Sequence, residues 1–465
     1  MLVAGIDSST QSTKVLLCQA EDGTVVGQGS APHPDGTETD PAAWLRALDR
    51  AGEGLLSRAD AVAVAGQQHG MVVLDDNADV IRPALLWNDL RSAGAAAELV
   101  AERGPQWWAQ RTGSVPNASF TVTKLRWLAG HEPEHAARTA AVMLPHDWLS
   151  WRLRAGPAPD KEPVTDRGDA SGTGYFSPAD STWLPEVASD ALGHRVRLPR
   201  VAQPAEVTGE TGWGAAVAPG TGDNMGAGLG LGLAPGEVAV SIGTSGTAFA
   251  VSPVPAADPS GAVAGFADAT GRYLPLVCTI NAALVLSSVA AMTGTDLAGL
   301  SERALAAEPG AGGITLLPYL DGERTPVRPH ATGALAGLTT RNATPENLAR
   351  AAVEAVLGSL AAVAGLMTGY GVECRRVLLI GGGARSEAVR ALAPGIFGAA
   401  VEVPEPQEYV ALGAARQAAW ALAGTPEPPA WPRPPAKQYT GPAQPGLAER
   451  FAWLRDATAT WERKD

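Results

Sequence analysis

Two segments far apart in this chain carry nearly the same message: Gly5-Ile6-Asp7-Ser8-Ser9-Thr10 and Ser241-Ile242-Gly243-Thr244-Ser245-Gly246. Each ends a short apolar run on a turn of small hydroxyl residues or glycine. Each is followed by a second apolar run, Lys14 to Gln19 in the first case and Ala248 to Ser252 in the second. Strand, tight polar turn and returning strand make a hairpin. Two homologous domains facing one another across a cleft, each pointing its hairpin turn at a shared ligand, would explain the repeat. With 465 residues, 45% of them hydrophobic, there is enough chain to bury two cores.

The surroundings of each hairpin agree with this. Leu2 to Ile6, Lys14 to Gln19 and Thr24 to Gln28 read as a three-stranded meander. Trp44, Leu45, Leu48 and Leu55 give Pro41 to Leu56 a helical period, and Ala61 to Ala65 suits a buried strand. After Glu237 the pattern restarts, with helices expected over Asn281 to Met292 and Asn347 to Thr368. Thr344 is a fitting N-cap for the latter, with Pro345 behind it and Gly371 past its end. Alternating strands and helices place the chain in the α/β class. Gly and Pro interrupt the pattern at Leu233 to Gly236. The expected division is therefore a first domain over 1–233, a second over 234–424, and a Pro-rich tail over 425–465. That tail ends in an amphipathic run through Leu447, Phe451, Leu454 and Trp461, packed on the body.

Composition excludes several functions. Thirty-five basic residues against 48 acidic give a net charge of -13 without any basic cluster, so a nucleic-acid partner is not expected. No uncharged apolar run approaches the roughly 20 residues that span a bilayer, and the first residues lack the basic segment of a secretion signal. Cys18, Cys278 and Cys374 stand in no metal-ligand spacing, as reduced thiols would. A cytoplasmic chain without a membrane partner is the expectation.

Chemistry is then sought in the turns. Asp7 with Ser8, Ser9, Thr10, Gln11, Ser12 and Thr13 offers hydroxyls and backbone donors to phosphate, and Asp7 can hold Mg²⁺ or its waters. An ordinary Ser/Thr-rich hairpin is the competing reading. Gly243, Thr244 and Ser245 form a second such turn, and Gly381, Gly382, Gly383 and Ala384 a third, directly after the apolar run Val377 to Ile380. Neither matches a Walker or dinucleotide fingerprint; together the three point to a nucleotide, ATP. Thr221-Gly222-Asp223-Asn224 supplies a carboxylate suited to act as base toward a hydroxyl, or simply an Asx turn. Gln67, Gln68 and His69 follow one buried run, and Trp87, Asn88 and Asp89 follow another. Amides, an imidazole and an indole suit a polyol.

The same residues resemble the FGGY carbohydrate kinases along essentially the whole chain. Gly333 to Leu338, then Asn347, Leu348, Ala351 and Glu354, follow the spacing of that family's C-terminal signature, and Phe120 to Leu128 resembles its N-terminal one. QQHG, LLWNDLRS, LPHDWL, DRGDASGTG, GTGDN, SIGTSGT and LPYLDGERTP are similar to the xylulokinase branch, particularly its actinobacterial type; Gln68 stands where many of that branch carry Met. The resemblance implies two ribonuclease-H-like domains of the actin-like ATPase architecture flanking a catalytic cleft. It implies phosphoryl transfer from ATP, with Mg²⁺, to the terminal hydroxyl of D-xylulose. On it, Asp223 is the base and a candidate metal ligand, and Asp7 positions Mg²⁺ through water. Gln68 and His69 touch the sugar, with Trp87, Asn88, Asp89 and Asn224 beside them. Ser8, Thr10, Gln11, Ser12, Gly243, Thr244 and Ser245 hold phosphates, and Gly381 to Ala384 the adenosine. A homodimer is implied by the family alone. Rival readings are a family member acting on ribulose or glycerol, a non-catalytic ATP-binding sensor, and an ATPase whose output is conformational.

Overall fold

The computed structural model describes residues 1–154 and 162–461. They form two compact units. One comprises Met1–Leu233, Pro253–Leu274 and Gln407–Arg433; the other comprises Ala234–Ser252, Pro275–Pro406 and the chain from Pro434 onward.

The first unit is built on a mixed sheet of β1 (Leu2–Ser8), β2 (Ser12–Gln19), β3 (Val25–Pro32), β4 (Ala61–Gly66), β5 (Gly209–Glu210), β6 (Ala216–Val217) and β7 (Thr221–Gly222). The order is β5-β6-β4-β1-β2-β3, with β7 also pairing β4. β1, β2 and β3 are the antiparallel meander, and β4 runs parallel to β1, β6 and β7. Side chains alternate across a strand, and both faces of β1 and β4 are covered. Ala4, Ile6, Val62 and Val64 join a core with Trp44, Trp148 and Trp151. Val3, Ala61, Ala63 and Ala65 join another with Ala411, Ala414, Ala415 and Ala418 of the Tyr409–Ala423 helix.

That second core is unusually close-packed. A Cβ on Gly5 would lie 1.9 Å from the Ala411 carbonyl oxygen, and one on Gly413 would lie 1.8 Å from that of Gly226. Gly226 belongs to the helix Asp223–Leu231, so the glycines of DNMGAGLGL let two backbones touch rather than marking a loop. Sequence order assigns 407–424 to the second domain. The structure returns that stretch to the first unit, because its alanine face needs a surface of small residues and β1, β4 and this glycine-rich helix provide one.

The second unit repeats the arrangement. β8 (Glu237–Ile242), β9 (Gly246–Ala250) and β10 (Tyr273–Thr279) are antiparallel neighbours, and β11 (Arg376–Ile380) and β12 (Ala400–Pro404) continue parallel from β8. β13 (Ala436–Tyr439), from the Pro-rich tail, pairs antiparallel with β12. The helix Pro345–Leu366 begins as its sequence predicts, with Thr344 Oγ1 accepting from the Asn347 N–H at 3.2 Å, and Gly371 follows in the left-handed region. Against the expectation that no apolar run approaches membrane-spanning length, this stretch is by length and composition long and apolar enough to cross a bilayer, yet 72% of its most apolar window is buried, as befits a core helix. The terminal helix Leu447–Ala457 buries Leu447, Phe451 and Leu454; Trp461, expected on the same packed face, is 56% exposed because the helix has already ended.

Candidate active site

Register builds the site. Ser8 of β1 is paired with Gly66 of β4, and Gly66 with Gly222 of β7. Three parallel strands therefore end side by side. Whatever follows them, Ser9 to Ser12, Gln67 to His69, and Asp223 with Asn224, emerges at one carboxyl edge, where ligands of open α/β sheets bind.

Asp223 is the first residue of its helix and half-buried. Its Oδ1 accepts from the Asn224 backbone N–H at 2.7 Å and from Asn224 Nδ2 at 2.8 Å. Asn224 Nδ2 also donates to Gln68 Oε1 at 3.1 Å. Because a carboxylate only accepts, this chain fixes both amides, leaving Gln68 Nε2 as a buried donor with no partner in the protein. Burial, then the charge of Asp7, pushes the Asp223 carboxyl up to about 7. Asp7 itself is 3% exposed and is pushed up to about 6, again by burial, against the Ser9 hydroxyl that donates to it and the charge of Lys14. Lys14 is engaged with Glu408 at 2.6 Å.

His69 adopts a left-handed conformation, φ 68°, and its Nδ1 lies 2.6 Å from the Gly172 carbonyl oxygen. A carbonyl can only accept, so Nδ1 carries the proton. The ring packs against Phe120 and Phe266, at centroid distances of 4.7 and 5.8 Å, in a cluster of three rings. Neither amide atom of Gln67, nor Asn88 Oδ1, has a hydrogen-bond partner in the protein. Buried polar groups are normally satisfied, so these atoms have hydrogen-bonding capacity left over for a polar partner. Trp87, expected beside them, is half-exposed and donates from Nε1 to Thr10 Oγ1 at 2.7 Å, tying its loop to the first hairpin.

Two expected residues look inward. The Asp89 carboxylate accepts from Thr37 Oγ1, the Arg91 N–H and Arg91 Nε, so it closes its own loop. Ser8 is fully buried, with Thr13 Oγ1 donating to it at 3.5 Å; the part of this turn open to a ligand is Ser9 to Ser12.

In the second unit, Ser241 and Ile380 are paired neighbours at the ends of β8 and β11. The turns that follow them, Gly243 to Ser245 and Gly381 to Ala384, therefore lie at one sheet edge. Gly381 has φ +86°, and a Cβ on Gly383 would lie 2.3 Å from Ile242 Cγ2. Glycine is required in both places. Thr244, Ser245, Gly381 and Gly382 are exposed.

Sequence reasoning assigned no role to a fully buried cluster just beneath the first-unit edge: His146, Asp147, Asp166 and Asp169, all at most 3% exposed. The signal was present, since LPHDWL and DRGDASGTG place charges in otherwise apolar or small-residue stretches, but neither spacing is that of a metal site. Among the described residues no group of three or more His, Cys, Asp or Glu could hold a metal ion.

Comparison with known proteins agrees with this geometry. Residues 2–227 match the N-terminal domain model of the FGGY family of carbohydrate kinases, and residues 238–422 match its C-terminal domain model. The chain is 47% identical to a xylulose kinase of Streptomyces coelicolor, covering 91% of this chain and 88% of the relative. It superposes on the crystal structure of xylulose kinase from Bifidobacterium adolescentis with a TM-score of 0.92 at 45% identity, over 98% of this chain and 99% of that one. A Plasmodium falciparum glycerol kinase solved with ADP shares the fold at 18% identity, TM-score 0.85, over 100% of this chain and 99% of that one. The fold is accordingly the two-domain actin-like ATPase architecture, and the chain belongs to the FGGY family of carbohydrate kinases.

Proposed function

We propose that this enzyme transfers the γ-phosphoryl group of ATP to the terminal hydroxyl of D-xylulose, giving D-xylulose 5-phosphate. The observation that carries the mechanism is Asp223: a carboxyl of raised proton affinity whose one oxygen is held by Asn224. Its other oxygen accepts the hydroxyl proton as the sugar oxygen attacks phosphorus in line. Affinity near neutral pH suits a group that must gain a proton during the reaction and release it afterwards.

Gln68, His69 and Asn224 orient the sugar, with the unsatisfied Gln67 and Asn88 amides and the face of Trp87 completing its surroundings. The backbone and hydroxyls of Ser9 to Ser12 and of Gly243 to Ser245 take the phosphates, and Gly381 to Ala384 takes the adenosine. Two neighbouring carboxyls, both raised by burial and Asp223 also by the charge of Asp7, with Lys14 already paired, fit a divalent cation, and Mg²⁺ typically uses one or two carboxylates plus substrate phosphates. Asp7 would hold it through water, and Asp223 could approach it. Bound there, Mg²⁺ supplies charge neutralisation for the phosphoryl group in transit. The enzyme works in the cytoplasm on this reading.

The test is ADP release measured with D-xylulose, D-ribulose, glycerol and no acceptor. D-xylulose is expected to give the highest kcat/KM. Release independent of any acceptor, or a higher kcat/KM with another one, would overturn the reading.

A further inference from the structure

The buried cluster beneath the site contains one histidine facing three carboxylates. His146 Nδ1 is 2.6 Å from Asp169 Oδ2, while Nε2 is 3.2 Å from Asp147 Oδ1 and 3.9 Å from Asp166 Oδ1. Nδ1 donates to Asp169 Oδ2, while Nε2 lies within ion-pairing distance of two further carboxylate oxygens without a hydrogen bond to either. A ring bare at Nε2 would set a lone pair 3.2 Å from a carboxylate oxygen in a fully buried site.

The cluster touches two of the three strand ends that build the active-site edge, those of β4 and β7. A Cβ on Gly66 would lie 2.9 Å from His146 Cβ, and one on Gly220 would lie 2.6 Å from His146 Cδ2; the ring therefore lies flush under the ends of β4 and the run into β7. Asp166 caps the short turn Arg167–Ala170 by accepting from the Gly168 and Asp169 N–H groups, and it also accepts from Thr221 Oγ1 at 2.8 Å. Thr221 stands two residues before Asp223. The Asp169 carbonyl accepts from the Gly172 N–H at 2.9 Å, and the Gly172 carbonyl receives the His69 proton.

We propose that His146 is a positioning residue: a doubly protonated imidazole that ties the Arg167–Ala170 turn to the helix Pro145–Leu153 and, through Thr221 and Gly172, fixes Asp223 and His69. The charged groups facing it are Asp147 on its own helix and Asp166 and Asp169 on the turn. Burial acts against the imidazolium, but these three charges overrule it and raise the ring to about 9. Tyr175, also buried, has its phenol raised by burial and by Asp147 and Asp169 and stays neutral.

The kinetic half of the test rests on the proposed sugar-kinase activity; the spectroscopic half does not. In native enzyme carrying ¹⁵N-labelled histidine, the His146 signal, identified by its loss in His146→Lys, is expected to show both nitrogens protonated at pH 7.5. A neutral ring overturns the proposal whatever the enzyme's substrate. In the ADP assay, His146→Gln is expected to lose about 10- to 100-fold in kcat and to raise the KM for D-xylulose, with the KM for ATP unchanged. His146→Lys, which keeps the charge, should restore most of the rate. A merely structural role would lower the active fraction and leave both KM values alone, so folded His146→Gln with native KM for the sugar also overturns it. Should that variant fail to fold, the protonation state in the native enzyme decides. Native enzyme lacking sugar-dependent turnover would instead count against the proposed function.

Discussion

Asn224 donates two hydrogen bonds to a single oxygen of Asp223, from its backbone at 2.7 Å and from its side chain at 2.8 Å. The proposed base thus has one oxygen held and one available. Hydrogen bonds to a charged acceptor are worth about 1.5–3 kcal/mol each, and they favour the ionised form. The same side chain steers Gln68, so a single amide couples the base to the sugar surface.

Asn224→Ala should therefore do two things at once. Without the side-chain donor, the Asp223 carboxylate is less favoured and the acidic limb of kcat/KM moves to higher pH. With Gln68 released, the KM for D-xylulose rises, and kcat/KM falls about tenfold or more. Steady-state kinetics between pH 5.5 and 9 check both; a variant with native limb and KM would show that the contact carries no catalytic weight.

The pH profile of the native enzyme follows from the same carboxyl. Asp223, raised to about 7 in the free enzyme, is a competent base only when ionised, so kcat/KM for the sugar should climb through about pH 7 and then level off. Asp7→Asn removes a neighbouring negative charge, which should shift that limb to lower pH on a reduced plateau. An unmoved limb would mean that Asp7 exerts no field at Asp223.

The buried cluster makes stability depend on pH in a definite sense. His146 is raised from 6.5 to about 9, so its contribution is complete below pH 6.5 and fades as pH rises toward 9. Asp147 and Asp169, raised by burial to about 6 and about 7, also hold protons more tightly when folded and act in the same direction at lower pH. Thermal melting should decline between pH 6.5 and 9, and His146→Lys should flatten the decline in that window. A melting temperature that rises across it would contradict the protonation assigned to the cluster.

Close packing of glycines predicts the clearest stability effect. In Gly413→Ala the new methyl would meet the Gly226 carbonyl oxygen at 1.8 Å, and backbone cannot swing aside as a side chain can. Overpacking of this kind costs about 1–3 kcal/mol, readable as a lower denaturation midpoint. Gly365→Ala, where nothing lies within 4 Å, is the control expected to change little.

Much of this was legible beforehand, for identifiable reasons. The meander from Leu2 follows from alternation and turn residues, and the Pro345–Leu366 helix from its Thr344 cap. The Asp7 and Ser241 repeat corresponds to two sheets of like strand order. What escaped was long-range. Nothing local tells an alanine-rich helix at 409–423 that its partner is Gly5 and the Gly226 helix, because small residues encode closeness and not address. The hydroxyl of Ser8 and the carboxylate of Asp89 suit ligand chemistry by type, but type does not say which way a side chain turns, and both turn inward. His146 and its three carboxylates come from segments separated in sequence, and only the fold gathers them.

The most direct test is the rate of D-xylulose 5-phosphate formation by Asp223→Asn beside the native enzyme, at saturating ATP and sugar. Asparagine keeps the shape but cannot take the hydroxyl proton, so turnover should fall about 10²- to 10⁴-fold with the fold and ATP binding intact. A folded Asp223→Asn enzyme that forms the sugar phosphate at near-native rate would contradict the assignment of Asp223 as base.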